Sequence, residues 1–279
     1  MTLTARARLR TARPTAPGAS HQPHRIRRGR RSIPLRGLGK FLAMCLDTLV
    51  LMFRPPFAWR EFVLQSWFVA RVSLIPTLML AIPFTVMSAF MLNILFVDFG
   101  AADFSGTAVA LGTVTQVGPL VTVLVVAGVG ATAMCADLGA RTIREELDAL
   151  RVLGINPVQS LVVPRVLAAA LVAALLSALV ILTGIIGGFI FSVFVQNVTP
   201  GPFVAGLTIL TGLPELVIAV TKAVAFGGAA GLIACYKGIS VGGGPAGVGN
   251  AVNETVVFAF MSLFVINVVI TAVGVKVTM

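Results

Sequence analysis

Apolar residues fill five long blocks of this chain, at about 72–97, 109–136, 161–194, 204–235 and 252–275, and polar residues cluster in the gaps between them. A helix of about 20 apolar residues crosses the hydrocarbon core of a bilayer. Each block meets that length, so the pattern predicts an all-α, polytopic membrane protein with five transmembrane helices. Pro76 and Pro83 interrupt the first block, which predicts a kink or a broken helix there. Gly118-Pro119 lies inside the second, and the third is long enough to tilt.

A shorter apolar run, FLAMCLDTLVLMF at 41–53, precedes them. It is too short to span and has the length of a helix lying in the membrane interface, with Asp47 facing water. Arg54-Pro55-Pro56 stops it. Residues 57–71, FAWREFVLQSWFVAR, then place Trp59 and Trp67 beside Arg60, Glu61 and Arg71, a composition that belongs at the headgroup level. The chain thus divides into a tail at 1–40, an interfacial region at 41–71 and a five-span body at 72–276.

Composition agrees. Hydrophobic residues make up 57% of the 279 and charged residues 11%, too little polar surface to cover a soluble core of this size. The net charge of +11 is local. Residues 1–40 carry eleven Lys or Arg and no acid, whereas the other 239 residues carry ten of each sign. Pro, Gly and Ser mixed into the tail give it the composition of a disordered segment. It has no aromatic residue on which bases would stack, so nucleic acid is the weaker reading and a cytoplasmic anchor on anionic lipid the stronger. No apolar core with a small-residue cleavage site follows it cleanly, unlike a secretory signal. Cys45, Cys135 and Cys235 are far apart, and both histidines, His21 and His24, lie in the tail. The pattern fits buried thiols rather than a metal site or disulfides.

Charge in the gaps sets orientation. Asp98 and Asp103 follow the first block with no basic residue. Arg141, Arg144, Arg151 and Arg165 follow the second. QNVTPG, uncharged, follows the third, and Lys237 the fourth. Basic residues thus alternate, on the side of the Arg-rich tail. The positive-inside rule places the N-terminus in the cytoplasm and, after five spans, the C-terminus outside, with Lys276 the one exception.

The segment RTIREELDALRVLGINP (141–157) carries six charges in seventeen residues. Ile143, Leu147 and Leu150 fall on one helical stripe. Arg141–Glu145 and Arg144–Asp148 are opposite-sign pairs at i,i+4. Thr142-x-x-Glu145 fits a capping box, unless the helix continues from the second span. Gly154 and Asn156-Pro157 provide a stop. A short amphipathic helix on the cytoplasmic face results. Its apolar stripe needs cover from headgroups or from a partner protein, and the residues alone favour neither.

Three charges inside apolar blocks are further candidates. Lys222 lies near the middle of the fourth span and must face the bundle interior, as a lipid-headgroup contact, a gating residue or, more simply, a structural bond to backbone carbonyls. Glu215, seven residues earlier, lies too far along the helix for a direct pair. Glu254 begins the fifth span, where an acid suits the helix dipole. VGGGPAGVGN (241–250) lacks the Gly-Lys-Ser/Thr of a phosphate loop and reads as a flexible turn. There is no Walker motif, nucleophile elbow or HExxH. Ser73, Ser88 and Ser177 have no base placed by sequence, so no catalytic site is predicted.

The stretch GPLVTVLVVAGVGATAMCADLGARTIREELDALRVLGINPVQSLVVPRVLA (118–168) resembles the signature region of the MlaE/YrbE permease family, the membrane subunits of MCE-type lipid ABC transporters. RPPFAWRE, the IAVTKAVAFG run at 218–227 and ACYKG at 234–238 extend the resemblance over about 54–275. The form of 131–147 is most similar to the A-type YrbE subunits of actinobacterial Mce systems. The Arg-rich tail is not part of that pattern. The resemblance implies a non-enzymatic permease of the plasma (inner) membrane that moves lipid, such as a fatty acid or sterol. ATP and Mg would be bound by a separate ATPase subunit, with no cofactor here. It also implies pairing with a second YrbE-type chain and attachment of MCE-domain proteins outside. The first, second and fifth spans would line the lipid cavity, shaped by Pro76 and Pro83. Residues 141–153 would be the coupling helix, in which Arg141, Arg144, Glu145, Glu146, Asp148 and Arg151 meet the ATPase while Leu147 and Leu150 fill its groove. The rival reading is an ion-coupled secondary transporter with Lys222, Glu215 and Glu254 as a relay, weakened by the absence of an inverted repeat. A membrane scaffold with no lipid and no ATPase is a third.

Overall fold

A computed structural model of the chain describes residues 34–278 except 102, 103, 208 and 210. The basic tail at 1–33 and Asp103 lie outside the described residues. Helices account for nearly all the rest: α1 Pro34–Met52, α2 Trp59–Asp98, α3 Ser105–Gly112, α4 Gly118–Val125, α5 Ala131–Ile143, α6 Glu146–Val152, α7 Val163–Phe194, α8 Pro200–Gly206, α9 Leu213–Ile239 and α10 Gly244–Thr278. π-turns at Thr113–Val117 and Val126–Gly130 join α3, α4 and α5 into one span, and a third at Val158–Val162 leads into α7. Five helical segments are long and apolar enough to cross a membrane: Trp59–Phe96, Ser105–Ile143, Val158–Phe194, Leu213–Ile239 and Gly244–Gly274. The chain is an all-α integral membrane protein.

Four boundaries differ from the sequence reading. α1 begins at Pro34, inside the segment read as a tail ending at 40. The first span is not broken at its prolines, because α2 runs unbroken through both Pro76 and Pro83 and begins at Trp59. Each proline removes one backbone donor. A threonine one residue after Pro76 and two after Pro83 bonds back onto the turn before it: Thr77 Oγ1 donates to Ser73 O at 2.6 Å and Thr85 Oγ1 to Ala81 O at 2.7 Å. The supposed flexible turn at 241–250 is mostly helix. Only Gly243 and Gly244 take positive φ, and Pro245 sits in the first turn of α10, where its missing N–H costs nothing. The fourth span begins at Leu213 rather than about 204, since Pro200–Gly206 forms the separate α8.

α7 packs against α2 and α9, and α9 in turn against α5 and α10. The core between them is built from small residues. Gly227 and Gly231, four apart on α9, lie against Ala169 of α7, with Ala173 and Val166 also packed on them. A Cβ on Gly227 would fall on the Ala169 carbonyl and within 2.7 Å of both Ala170 Cα and Ala173 Cβ, so this close approach needs glycine. Gly227→Leu is expected to destabilise the bundle by about 1–3 kcal/mol or more. Loss of folded protein in detergent on mild heating, relative to wild type, checks this.

The outward faces of α2 and α10 are apolar and exposed, Ile75, Met79, Met87, Met261, Val265 and Val268 among them. In a membrane these are the faces that acyl chains or other spans cover. α1 turns Leu38, Leu42, Leu46 and Leu49 outward at i, i+4, i+8 and i+11. Its other side is tied to α9, where Tyr236 Oη donates to Gly37 O at 3.0 Å and the Tyr236 ring meets Phe41 edge-on. That is the arrangement of a helix lying in the interface with its apolar stripe toward lipid.

Candidate functional site

α1, the α5–α6 segment, the start of α7, the end of α9 and the start of α10 share one end of the bundle. There the segment at 141–157 is not one helix. α5 continues through Arg141 and Thr142 to Ile143, Glu145 takes a left-handed conformation (φ 59°), and a new helix, α6, begins at Glu146. The capping box does not form. Thr142 Oγ1 instead donates to Leu138 O and Gly238 O, at 2.8 and 3.0 Å, so the helix continues from the second span. The end of α6 follows the sequence reading. Gly154 takes φ +76°, its N–H meets Arg151 O, and the Ile155 N–H meets Leu150 O at 2.9 Å. These two bonds make a Schellman stop. Asn156 Oδ1 then accepts the Val158 N–H.

The side chains of α6 are also placed differently. Leu147 is buried, packed with Leu138, Leu161, Val162, Val166 and Cys235, and Leu150 lies against the same cluster. These two therefore anchor α6 to the spans and do not face a partner. The most exposed apolar residues of the segment are Val152, 88% exposed, and Leu153, 72% exposed. Arg144 pairs with Glu146 at 2.9 Å and Arg151 with Asp148 at 2.7 Å. The predicted i,i+4 pairs do not form, because the break at Glu145 rotates α6 away from the α5 register. Glu145 makes no ion pair among the described residues and is exposed.

Beneath α6 lies a charged cluster that sequence reasoning missed. The Arg165 side chain is fully buried. Its Nη2 lies 2.7 Å from Asp137 Oδ2 and 3.2 Å from Glu61 Oε1, and its Nη1 donates to Leu161 O at 3.0 Å. Arg141 reaches the same two oxygens more loosely, at 3.4 and 3.9 Å, and Gln65 Nε2 donates to Glu61 Oε1. Two cations and two anions balance, which a buried arginine requires. Arg165 had served only as a loop charge and Glu61 as a headgroup residue. The available signal was an arginine, in VVPRVLAAA, and an acid, in AMCADLGA, each embedded in apolar sequence.

Lys222 is buried within the bundle, and its Nζ donates to Thr115 O at 3.3 Å. Thr115 lies in the first π-turn, where the wider winding disrupts the i→i−4 ladder and frees carbonyls. The two residues border a cavity of about 250 Å³ that also includes Gln116, Glu215, Ile218 and Thr271. Thus the structure brings Lys222 and Glu215 to one space, although Glu215 Oε2 also accepts the Gly212 N–H and so caps α9. Glu254 is elsewhere. It is not in the first turn of its helix, which starts ten residues earlier, and it pairs with Lys237 at 2.6 Å. Lys237 is fifteen residues beyond Lys222 on α9, about 22 Å along the helix axis. The three residues of the relay reading are therefore not assembled. Of the cysteines, Cys135 and Cys235 are buried and Cys45 is half-buried, with burial raising the Cys45 thiol above its ordinary value.

Comparison with known proteins gives this geometry a family. Residues 62–273 match the family model described as Permease MlaE. A probable ABC transporter permease protein of Synechocystis is 30% identical over 172 residues, covering 62% of this chain and 65% of that one. One of Rickettsia bellii is 27% identical over 250 residues, covering 89% of this chain and 96% of that one. The intermembrane phospholipid transport system permease protein MlaE of Haemophilus influenzae is 29% identical over 181 residues, 64% of this chain and 69% of its own. The family match runs from the entry of the first span to the end of the last, and the chain belongs to the MlaE permease family.

Proposed function

We propose that this chain is the membrane-spanning subunit of an ABC transporter that moves lipid across the cell envelope, driven by a separate ATPase. The observation that carries this reading is α6. It is a short helix outside the spans, anchored inward by Leu147, that leaves Val152 and Leu153 uncovered, which supports docking of a protein partner there. ATP and Mg belong to that partner. The Lys222 cavity supports lipid as cargo. At about 250 Å³ it is smaller than the roughly 300–1,000 Å³ of ordinary ligand pockets, room for a headgroup rather than a whole lipid. The acyl chains then lie along the exposed apolar faces of α2 and α10, where a second permease chain completes the enclosure. MCE-domain proteins continue the path on the far side. The likeness at 131–147 supports an A-type YrbE subunit paired with a B-type chain. Arg54, Arg60, Arg144, Arg151 and Lys237 gather at the α6 end, which supports a plasma (inner) membrane protein with that end and the N-terminus cytoplasmic and the C-terminus outside.

The test uses the complex purified from native membranes and placed in vesicles with fluorescent phospholipid. Transfer is expected to stop without ATP and to survive a protonophore. Transfer that survives ATP removal and collapses with the protonophore would assign the ion-coupled reading instead.

A further inference from the structure

We propose that Arg165 is a positioning residue, the fixed post of a charge clasp that passes movement of α6 into the spans. The inference rests on the ABC reading above and concerns how α6 is connected, not what it docks to. Three facts carry it. First, the clasp joins three spans at one point: Glu61 in the first turn of α2, Asp137 and Arg141 in the last turns of α5, and Arg165 in the first turn of α7. Second, α6 is linked to it through one apolar cluster. Arg165 Nη1 holds Leu161 O, and Leu161 packs in the same cluster as Leu147 of α6. Third, the two arginines are unequal. Arg165 is fully buried and close to both carboxylates, whereas Arg141 is 28% exposed and lies 3.4 and 3.9 Å from the same two oxygens.

Buried and exposed arms have different freedoms. Arg165 cannot leave its carboxylates without stranding a buried charge. Arg141 can exchange its contacts for water at little cost. A push on α6 therefore reaches Leu161 and Arg165 through Leu147, and reaches α2 and α5 through Glu61 and Asp137. The loosening falls on Arg141, near the left-handed break at Glu145. Only a guanidinium fork serves the two carboxylates and the Leu161 carbonyl together.

The experiment measures ATP hydrolysis and lipid transfer separately in vesicles, per assembled complex, for wild type and three variants. For Arg165→Met the ATPase still co-purifies and hydrolysis stays within about twofold, but lipid moved per ATP falls at least tenfold. Arg165→Lys, which keeps the charge and loses the fork, falls at an intermediate level. Glu61→Gln, at the clasp's wetter edge, falls several-fold and keeps the measurement available should Arg165→Met fail to assemble. Unchanged transfer per ATP in Arg165→Lys and Glu61→Gln overturns the proposal. So does a loss of transfer that only tracks the amount of complex, which is what a purely structural ion cluster gives. Wild-type complex without ATP-driven transfer removes the ABC reading itself, a separate result read from the control.

Discussion

Replacing Val152 and Leu153 together by Asp is expected to abolish capture of the ATPase subunit and to reduce ATP-driven lipid transfer to background. Both side chains are uncovered in the free chain. Covering each by a partner contributes about 1.5–3 kcal/mol. Together that is a change of roughly 10²–10⁴ in affinity, before the penalty of burying two carboxylates is added. Co-purification of the ATPase with the variant, at wild-type levels of folded permease, measures it. Reversing Glu146 and Asp148 to Arg should have a smaller effect. Each acid is already satisfied by Arg144 or Arg151 at the surface, where an ion pair is worth about 0.2–1 kcal/mol. ATPase capture that is untouched by the Val152/Leu153 change and lost on charge reversal would show that docking is electrostatic instead.

The second large effect is at Lys222. Lys222→Met is expected to leave ATPase capture intact and to lower phospholipid transfer by at least tenfold. A charge-assisted hydrogen bond to a headgroup phosphate contributes about 1.5–3 kcal/mol, which corresponds to a factor of about 10–100. Met keeps the length of the side chain and removes only the ammonium. The competing role is structural, since Nζ already donates to Thr115 O in the first π-turn. That role makes a different signature: less folded complex, with unchanged transfer per complex. Comparing anionic with neutral lipids sharpens the assay, because only a headgroup contact makes the loss depend on lipid charge.

Sequence pattern and structure agree where the physics is one-dimensional. Span number follows from run length. Gly154 follows from the need for a left-handed residue past α6, and Lys222 faces inward because hydrocarbon excludes it. They part where a tertiary contact decides. Pro76 and Pro83 read as a kink or a break because a proline removes a donor, and of the two the break does not occur, since α2 passes through both. Leu147 and Val152 are both apolar residues of one amphipathic segment, and periodicity alone does not say which faces the spans. The break at Glu145 decides it, by turning Leu147 inward and leaving Val152 uncovered. The Arg165 cluster was illegible for a related reason. Its members lie up to 104 residues apart, between Glu61 and Arg165, in three different spans, so no spacing rule connects them. Glu254 shows the converse. Its place in the sequence implied a helix start, but the Gly243–Gly244 turn puts that start ten residues earlier.

The central claim is that this chain works as the lipid-moving membrane subunit of a multi-protein ABC machine. A mild-detergent pull-down of the chain from native membranes, with mass spectrometry of the eluted proteins and lipids, tests it most directly. The account predicts an ATPase subunit, a second permease chain and MCE-domain proteins in the eluate, with a bound lipid that names the cargo. A chain recovered without any ATPase would contradict the account.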